Sequence, residues 1–427
     1  MNILIIGNGF DLAHRLPTSY TDFLKFFHSV EKMPIFCGTN KEYEERIAKI
    51  HTNSAEIRDI LIKIFESRIP HKSSSFTEEV FSDPIAQEIY QNLKGNIWYC
   101  YLYKLYENGQ IKGVNWIDFE SEISHIVEIF DRTEENLYME VVHDALRNTF
   151  PGDEKIGIFL RTLDSVDFFK TKNPFTYRDF LDDSYQQLRC FIYCMELYLR
   201  NYVEALPVSL FSQDIKNAVP SAVLCFNYTH TFFKKYGSFF PKAKIHYIHG
   251  ESRDSDTSET SNMVLGIDEY YKIPEDCNAH TNYNIYKKFT QRVINETGFE
   301  YREWIQPMDM FSRVYKNTND PLPNNIFVFG HSLDITDKDI LKDLIDREGV
   351  KTTIFYHDKQ QQTQQIANLV KMLGQEHFIK MINSVPQQIT FVQQQELLYV
   401  WQRFFWWRFI SIFREAILSP FQTMKAP

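Results

Sequence analysis

The sequence is poor in the residues that mark disordered and fibrous proteins. Its 427 residues include only 15 glycines and 16 prolines, whereas 44% of them are hydrophobic. A chain of this composition can bury a large core, and collagen-like and low-complexity structures are excluded. We therefore expect a folded protein with one large domain.

An excess of positive charge is also missing. The formal net charge is -10, and non-specific binding to nucleic acids draws its affinity from many lysine and arginine contacts to phosphates. We therefore expect no stable binding to DNA or RNA.

The chain lacks the signals of export at its start. No basic segment precedes Ile3, no small-residue cleavage site follows it, and the six cysteines are scattered. This pattern predicts reduced thiols and a cytoplasmic protein. Cys190 and Cys194 would share a helix face, but zinc needs further cysteine or histidine ligands at short spacing. We expect two structural thiols there and no metal site.

A long uncharged apolar run is absent as well. The stretch "LLYVWQRFFWWRFISIFREAIL" is strongly aromatic, but Arg403, Arg408 and Arg414 interrupt it. Since a membrane-spanning helix needs about 20 nearly uncharged residues, the pattern predicts a basic aromatic helix that lies on a surface. Three destinations stay open: the core of the chain itself, a second copy in a homo-oligomer, or peripheral attachment to a membrane.

Short apolar runs rich in branched and aromatic residues predict five strands. The first covers residues 3–6, and the others end near Phe226, His249, Phe329 and Tyr356. Helical patterns separate them, which implies right-handed crossovers and a parallel sheet. We predict one α/β domain over residues 1–384, with a large helical insertion at about 40–206 after the first strand. Residues 385–427 form the aromatic tail.

Polar loops follow four of the predicted strands. They are residues 7–11, 227–230, 249–251 and 330–334. The carboxyl ends of parallel strands meet at one edge, where ligands of open α/β sheets bind.

Each of these loops has a functional and a structural interpretation. Gly7 and Gly9 let the backbone approach a phosphate closely, or they form an ordinary turn with Asp11 as a helix cap. His249 is a candidate general base or a core histidine. Asn227 orients a water or a ribose hydroxyl, or ties down a turn.

Acidic residues in "DFESE" offer another kind of site. Asp118 and Glu122 lie one helical turn apart, with Glu120 between them. Converging carboxylates bind Mg²⁺ in nucleases, whereas a solvated helix face has the same spacing.

Several longer motifs resemble the AbiH family of bacterial phage abortive-infection proteins. They are "IGNGFDLAHRLPTSYTDFL", "NWIDFESEI", "LCFNYTHTFFKKYG", "IHYIHGE", "VLGIDE" and "FVFGHSLDITDKDIL". The resemblance extends over residues 1 to about 374. It implies a defence protein that acts when phage infection is sensed through a phage-derived trigger.

The order of the loops also resembles sirtuin-like NAD-binding proteins, including NAD-hydrolysing phage-defence enzymes. This second resemblance implies a Rossmann-like sheet and NAD as ligand or substrate. The residues that it places around the pyrophosphate and the adenosine side are Gly7, Asn8, Gly9, Phe10, Gly330, His331 and Ser332.

The same resemblance implies catalytic roles for three residues. Asn227 would position the nicotinamide ribose and a water, His249 would act as the base, and Asp11 would stabilise positive charge. The zinc-binding cysteine pairs of protein deacylases are missing, which disfavours deacetylation. Three functions stay open: hydrolysis of NAD or a related nucleotide, nucleotide sensing without catalysis, and an effector directed at nucleic acids.

Overall fold

The structure is a computed structural model in which eight segments of the chain are described. They are residues 1–32, 84–111, 117–130, 138–150, 152–166, 176–267, 281–315 and 323–399. The helix predicted from "KEYEERIAKI" and the basic aromatic stretch beyond residue 399 lie outside these segments.

A six-stranded parallel sheet forms the centre of the molecule. Its strands are β1 (Asn2–Ile6), β3 (Ala222–Cys225), β4 (Lys244–Tyr247), β5 (Asn324–Phe329), β6 (Val350–Tyr356) and β7 (Ile389–Gln393). Their spatial order is β4-β3-β1-β5-β6-β7, and every neighbouring pair is parallel. The predicted α/β class with a parallel sheet is therefore confirmed.

The strand order reverses beside β1. The chain first adds β3 and β4 on one side of β1 and then β5, β6 and β7 on the other side. Numbered along the chain, the six strands thus stand in the order 3-2-1-4-5-6. A crevice at such a reversal is the usual ligand position in open α/β sheets.

The central position of β1 follows from its composition. Residues 3–6 are apolar without alternation, and all four side chains are buried. A strand covered on both faces needs such a continuous apolar run, as is typical of parallel sheets.

Helices cover both faces of the sheet. The face that carries Ile3 and Ile5 packs on α12 (Arg302–Tyr315), α13 (Lys338–Ile345), α14 (Lys359–Leu373) and α15 (Gln375–Asn383). The opposite face packs on α1 (Asn8–Ala13), α9 (Gln213–Ala218) and α10 (Thr231–Tyr236). One further helix, α11 (Lys288–Ile294), follows a 3-10 turn at Thr281–Tyr286.

A separate helical core lies between β1 and β3 in the chain. It contains α2 (Tyr20–Lys32), α3 (Pro84–Leu93), α4 (Ile97–Glu107), α5 (Ile117–Phe130), α6 (Met139–Thr149), α7 (Glu154–Ser165) and α8 (Tyr177–Tyr198). The helix predicted from the apolar spacing at 182–206 is present as α8, which continues into a wider turn at Leu199–Val203. A capping box of Thr176 and Asp179 starts it.

Three strands were not predicted. The edge strand β7 lies beyond residue 384, so the sheet includes part of the segment assigned to the tail. The short strands β2 (Leu210–Phe211) and β8 (Leu398–Tyr399) form an antiparallel pair outside the main sheet. All three are half-exposed or only two residues long, and such runs carry little apolar signal.

Among the described helices, none combines the length and the apolar character that crossing a bilayer requires.

Candidate functional site at the carboxyl edge of the sheet

The glycine loops after β1 and β5 are in direct contact. The N–H of Gly9 donates to the carbonyl of Gly330 at 2.8 Å, and the N–H of Gly7 donates to the carbonyl of Phe329 at 3.3 Å. A Cβ atom on Gly330, whose φ is +68°, would lie 2.1 Å from the nitrogen of Phe10. Glycine is therefore required for this contact. The same contact occupies two N–H groups that the sirtuin-like resemblance assigned to the pyrophosphate.

Asn8 and Phe10 lie in the first turn of α1 and face different surroundings. Asn8 Oδ1 accepts a hydrogen bond from Thr18 at 2.7 Å, whereas its Nδ2 is buried without a partner among the described residues. Phe10 is fully buried against His14 and Tyr236. Its ring therefore anchors α1 to the sheet, and only its backbone lies at the glycine contact.

Asp11 points into the protein. The side chain makes no capping hydrogen bond to α1, so the interpretation as a helix cap is wrong. Thr229 donates to Asp11 Oδ2 at 2.6 Å, while Oδ1 is buried with no hydrogen bond from the described residues. Burial raises the pKa of Asp11 to about 7, although the hydroxyls of Thr229 and Thr231 and the nearby Asn227 amide oppose this shift. The carboxyl therefore keeps its proton to a higher pH than an exposed aspartate does.

Asn227 lies beside Asp11 at the end of β3. Its side chain is buried, and neither the oxygen nor the nitrogen of its amide has a hydrogen-bond partner among the described residues. A buried polar group without a partner costs about 1–3 kcal/mol. Native proteins usually satisfy such groups with water, an ion or a ligand.

His249 follows β4 and contacts Asp337, a residue outside the predicted polar loops. Its Nε2 lies 3.0 Å from Asp337 Oδ1, and its Nδ1 is buried without a partner in the described chain. Burial lowers the pKa of His249 to about 4, and the nearby Asp337 carboxylate opposes the shift. The imidazole is therefore neutral at pH 7.

Asp337 is the centre of a buried charged network. Lys288 Nζ lies 3.3 Å from Asp337 Oδ1 and 2.9 Å from Glu120 Oε2, and His331 Nε2 lies 3.6 Å from Asp337 Oδ2. The cationic Lys288 and the contact with His249 hold the pKa of Asp337 well below its usual range, against the effect of burial. The only sequence signal for Asp337 is its place seven residues after Gly330.

The loop after β5 is held by backbone contacts. Asn368 donates to the carbonyl of Ser332 at 3.0 Å, and Gln365 donates to that of His331 at 3.0 Å. The Phe226 ring contacts the rings of His331 and His249, with centroids 4.3 and 5.3 Å away. The structure thus brings His331 and His249 together around Phe226.

Two acidic residues of α5, Glu120 and Glu122, are paired with lysines. Glu120 pairs with Lys288, and burial raises the pKa of Glu120 to about 7. Glu122 pairs with Lys155 of α7, and the side chain of Asp118 lies outside the described residues.

No group of three histidine, cysteine, aspartate or glutamate side chains suited to a metal is found in the described part of the chain. Four described cysteines, including Cys190 and Cys194, are free.

A second polar cluster lies at the same edge and surrounds His230. The two ring nitrogens of His230 lie 2.8 Å from Glu204 and 2.9 Å from Glu251. These two carboxylates raise the pKa of His230 to about 9. Glu204 also accepts from Lys234 at 2.6 Å and from Ser252 at 2.7 Å. Despite burial, these contacts lower the pKa of Glu204 to about 2.

The loop of residues 251–262 is tied to α8. The polar sequence predicts a mobile surface loop, but Arg200 binds Asp254 at 3.0 Å and Arg189 donates to the carbonyl of Ser258 at 2.6 Å. Glu196 accepts from the N–H of Arg253 at 3.1 Å. Polar side chains of α8 and of the turn that follows it therefore hold residues 251–262 in place, although this segment has no apolar side chain to pack on the core.

The fold and this edge define an α/β protein with a buried polar site at the reversal of a parallel sheet. A family model described as "Bacteriophage abortive infection AbiH" matches residues 3–358. The chain belongs to the AbiH family, as the sequence motifs indicated. No curated protein and no solved structure shows a significant match to the chain.

Proposed function

We propose that this AbiH-family protein acts in abortive infection by hydrolysing NAD or a related nucleotide at the carboxyl edge of its sheet. The observation that carries the proposal is a set of buried polar atoms without partners in the described chain: both amide atoms of Asn227, Asp11 Oδ1 and His249 Nδ1. They follow β3, β1 and β4, the three strands on one side of the point where the strand order reverses. The order 3-2-1-4-5-6 is that of dinucleotide-binding sheets.

The chemistry of these atoms suits the cleavage of an N-glycosidic bond. The neutral His249 accepts a proton at Nδ1 from the attacking water. The Asn227 amide offers one donor and one acceptor, which can orient that water or a ribose hydroxyl. Asp11 as a carboxylate favours the positive charge that develops on the ribose. Water bonds to the ribose carbon, the bond to nicotinamide breaks, and one water proton goes to His249.

The direct test uses purified protein and NAD, with and without lysate from phage-infected cells as a source of trigger. Products are separated by chromatography. We expect nicotinamide and ADP-ribose from the wild type, and neither product from Asn227→Ala or His249→Ala. His357→Ala is the matched control, because His357 follows β6 and its side chain is exposed. Intact NAD with the wild type under both conditions would overturn the hydrolase proposal.

A non-catalytic nucleotide sensor is the second candidate. It is favoured by the contact between Gly9 and Gly330, because a pyrophosphate can reach these N–H groups only after the two loops separate. Ligand binding would then be coupled to a change of conformation. Calorimetry that shows NAD binding, together with unchanged NAD by chromatography, would favour the sensor over the hydrolase.

The partners belong to the same proposal. A phage-derived trigger would switch the protein on, and the aromatic tail would contact a second copy of the chain or a membrane surface. Comparing sedimentation and vesicle binding of the full chain with those of a chain ending at residue 399 tests the role of the tail. Equal sedimentation and equal vesicle binding of the two chains would show that the aromatic tail has neither role.

A further inference from the structure

We propose that Asp337 is a positioning residue that holds His249 with its proton on Nε2, so that Nδ1 is the proton acceptor of the site. The placement of the proton rests on the contacts and charges around Asp337, and its catalytic consequence rests on the function proposed above.

Nitrogen atoms of three side chains surround the carboxylate of Asp337. Oδ1 lies 3.0 Å from His249 Nε2 and 3.3 Å from Lys288 Nζ, and Oδ2 lies 3.6 Å from His331 Nε2. The adjacent Lys288 ammonium and these contacts keep the carboxylate ionised. An ionised carboxylate only accepts hydrogen bonds. The proton of His249 must therefore be on Nε2.

The other ring nitrogen of His249, Nδ1, therefore carries no proton and can accept one. The ring is neutral, because burial lowers its pKa, and a neutral imidazole carries one proton. The charged side chains near it are Asp337, Lys288 and Arg292. Nδ1 is buried with no partner among the described residues. This is the arrangement in which a carboxylate orients a catalytic histidine.

His331 supports the same assignment independently. The N–H of Leu333 donates to His331 Nδ1 at 2.9 Å, so the proton of this ring is on Nε2, the nitrogen that faces Asp337. In both histidines, which lie in different loops, Nε2 therefore faces the Asp337 carboxylate. The Phe226 ring packs against both imidazoles.

Asp337 also joins the two halves of the sheet. It follows β5, whereas His249 follows β4, and β3 and β1 lie between these strands. The contact thus crosses the point where the strand order reverses. His249 has its orienting partner only while the two halves stay together, so separating the glycine loops and orienting the base are connected events.

The position of the proton is measured by NMR on protein labelled with ¹⁵N in histidine. The His249 signals are those that disappear in His249→Gln. We expect the Nε2–H form in the wild type and a low-field Nε2 proton, which a charge-assisted hydrogen bond produces. That proton should move upfield in Asp337→Asn. A wild-type proton on Nδ1, or no change in Asp337→Asn, would overturn the inference whether or not the protein hydrolyses NAD.

The catalytic consequence is measured by steady-state kinetics. Asp337→Asn should lower kcat at least about tenfold with little change in KM, because orientation of the base matters in the transition state. It should also alter the pH profile, and Asp337→Glu should restore part of the rate. Asp358→Asn is the matched control, since Asp358 is an exposed cap of α14. A wild-type kcat in Asp337→Asn would overturn the positioning role, whereas an inactive wild type would overturn the proposed function alone.

Discussion

Two polar clusters at the same edge of the sheet differ in how their hydrogen bonds are satisfied. Around His230, both ring nitrogens have carboxylate partners, and Glu204 accepts from a lysine and a serine as well. Around Asn227, buried amide and carboxylate oxygens have no partner among the described residues. The first cluster has the form of a structural clamp. The second has the form of a binding site, because its unused donors and acceptors are available to a ligand.

The largest expected loss of stability follows removal of the clamp. Glu204→Ala leaves His230, Lys234 and Arg200 without their shared carboxylate. Since the partners are partly exposed, we expect the free energy of unfolding to fall by about 3 kcal/mol. Urea denaturation measures this. Glu259→Ala, an exposed residue of the adjacent loop, is the control. Equal stability of both variants would show that the cluster is not a clamp.

Replacing Asp11 should raise the free energy of unfolding, which is the opposite of the effect expected at Glu204. Burial raises the folded pKa of Asp11 to about 7, so the folded protein binds more protons than the unfolded chain above pH ~3.9 and loses stability as pH rises toward 7. Asp11→Asn has no carboxyl at this position, so its stability does not fall through this ionisation. Its free energy of unfolding should exceed that of the wild type by about 3–4 kcal/mol at pH 8, because each pKa unit corresponds to ~1.4 kcal/mol, and the proposed function predicts loss of NAD hydrolysis.

Urea denaturation at several pH values checks this prediction. The advantage of Asp11→Asn should be absent near pH 4 and should grow up to pH 7. Parallel curves for the two proteins would show that Asp11 does not titrate abnormally.

A smaller effect, confined to alkaline pH, is expected at His230. Its folded pKa is raised to about 9 by Glu204 and Glu251, so its contribution is complete below the unfolded pKa of ~6.5 and is lost as pH rises through 9. Between pH 6.5 and 9.5, the wild type should lose about 1–2 kcal/mol more stability than His230→Gln. Thermal unfolding across this range tests it, and identical slopes would contradict the clamp.

The smallest loss of stability is expected at Asn227. Because its amide has no partner in the described chain, Asn227→Leu removes an uncompensated polar group and should leave the free energy of unfolding undiminished or raise it by up to about 1–3 kcal/mol, while the proposed function predicts loss of NAD binding. Asn368 is the matched comparison, since its amide hydrogen-bonds to Ser332 and Gln364. Asn368→Leu should lose about 1–2 kcal/mol. If both variants lose the same stability, Asn227 has structural partners.

Local patterns were enough to predict the sheet except for one of its two edge strands. The apolar run of β1 and the runs ending near Phe226, His249, Phe329 and Tyr356 are confirmed as strands. The strand β7 was missed, because an edge strand is half-exposed and its residues mix polar and apolar side chains. The polar loops were predicted to meet at one edge, and the contact between Gly9 and Gly330 confirms that two of them do.

The sequence by itself determined the strands, most helices, the family and the loops that carry the polar residues, because each depends on neighbours within a few positions. Only the tertiary structure decided which side chains are partners: Asp337 with His249, Glu204 with His230, and Glu120 with Lys288. These pairs join distant parts of the chain, and they depend on the strand order and on how the helical core sits over the sheet. Burial then sets their pKa values, because an apolar interior disfavours any charge that has no partner.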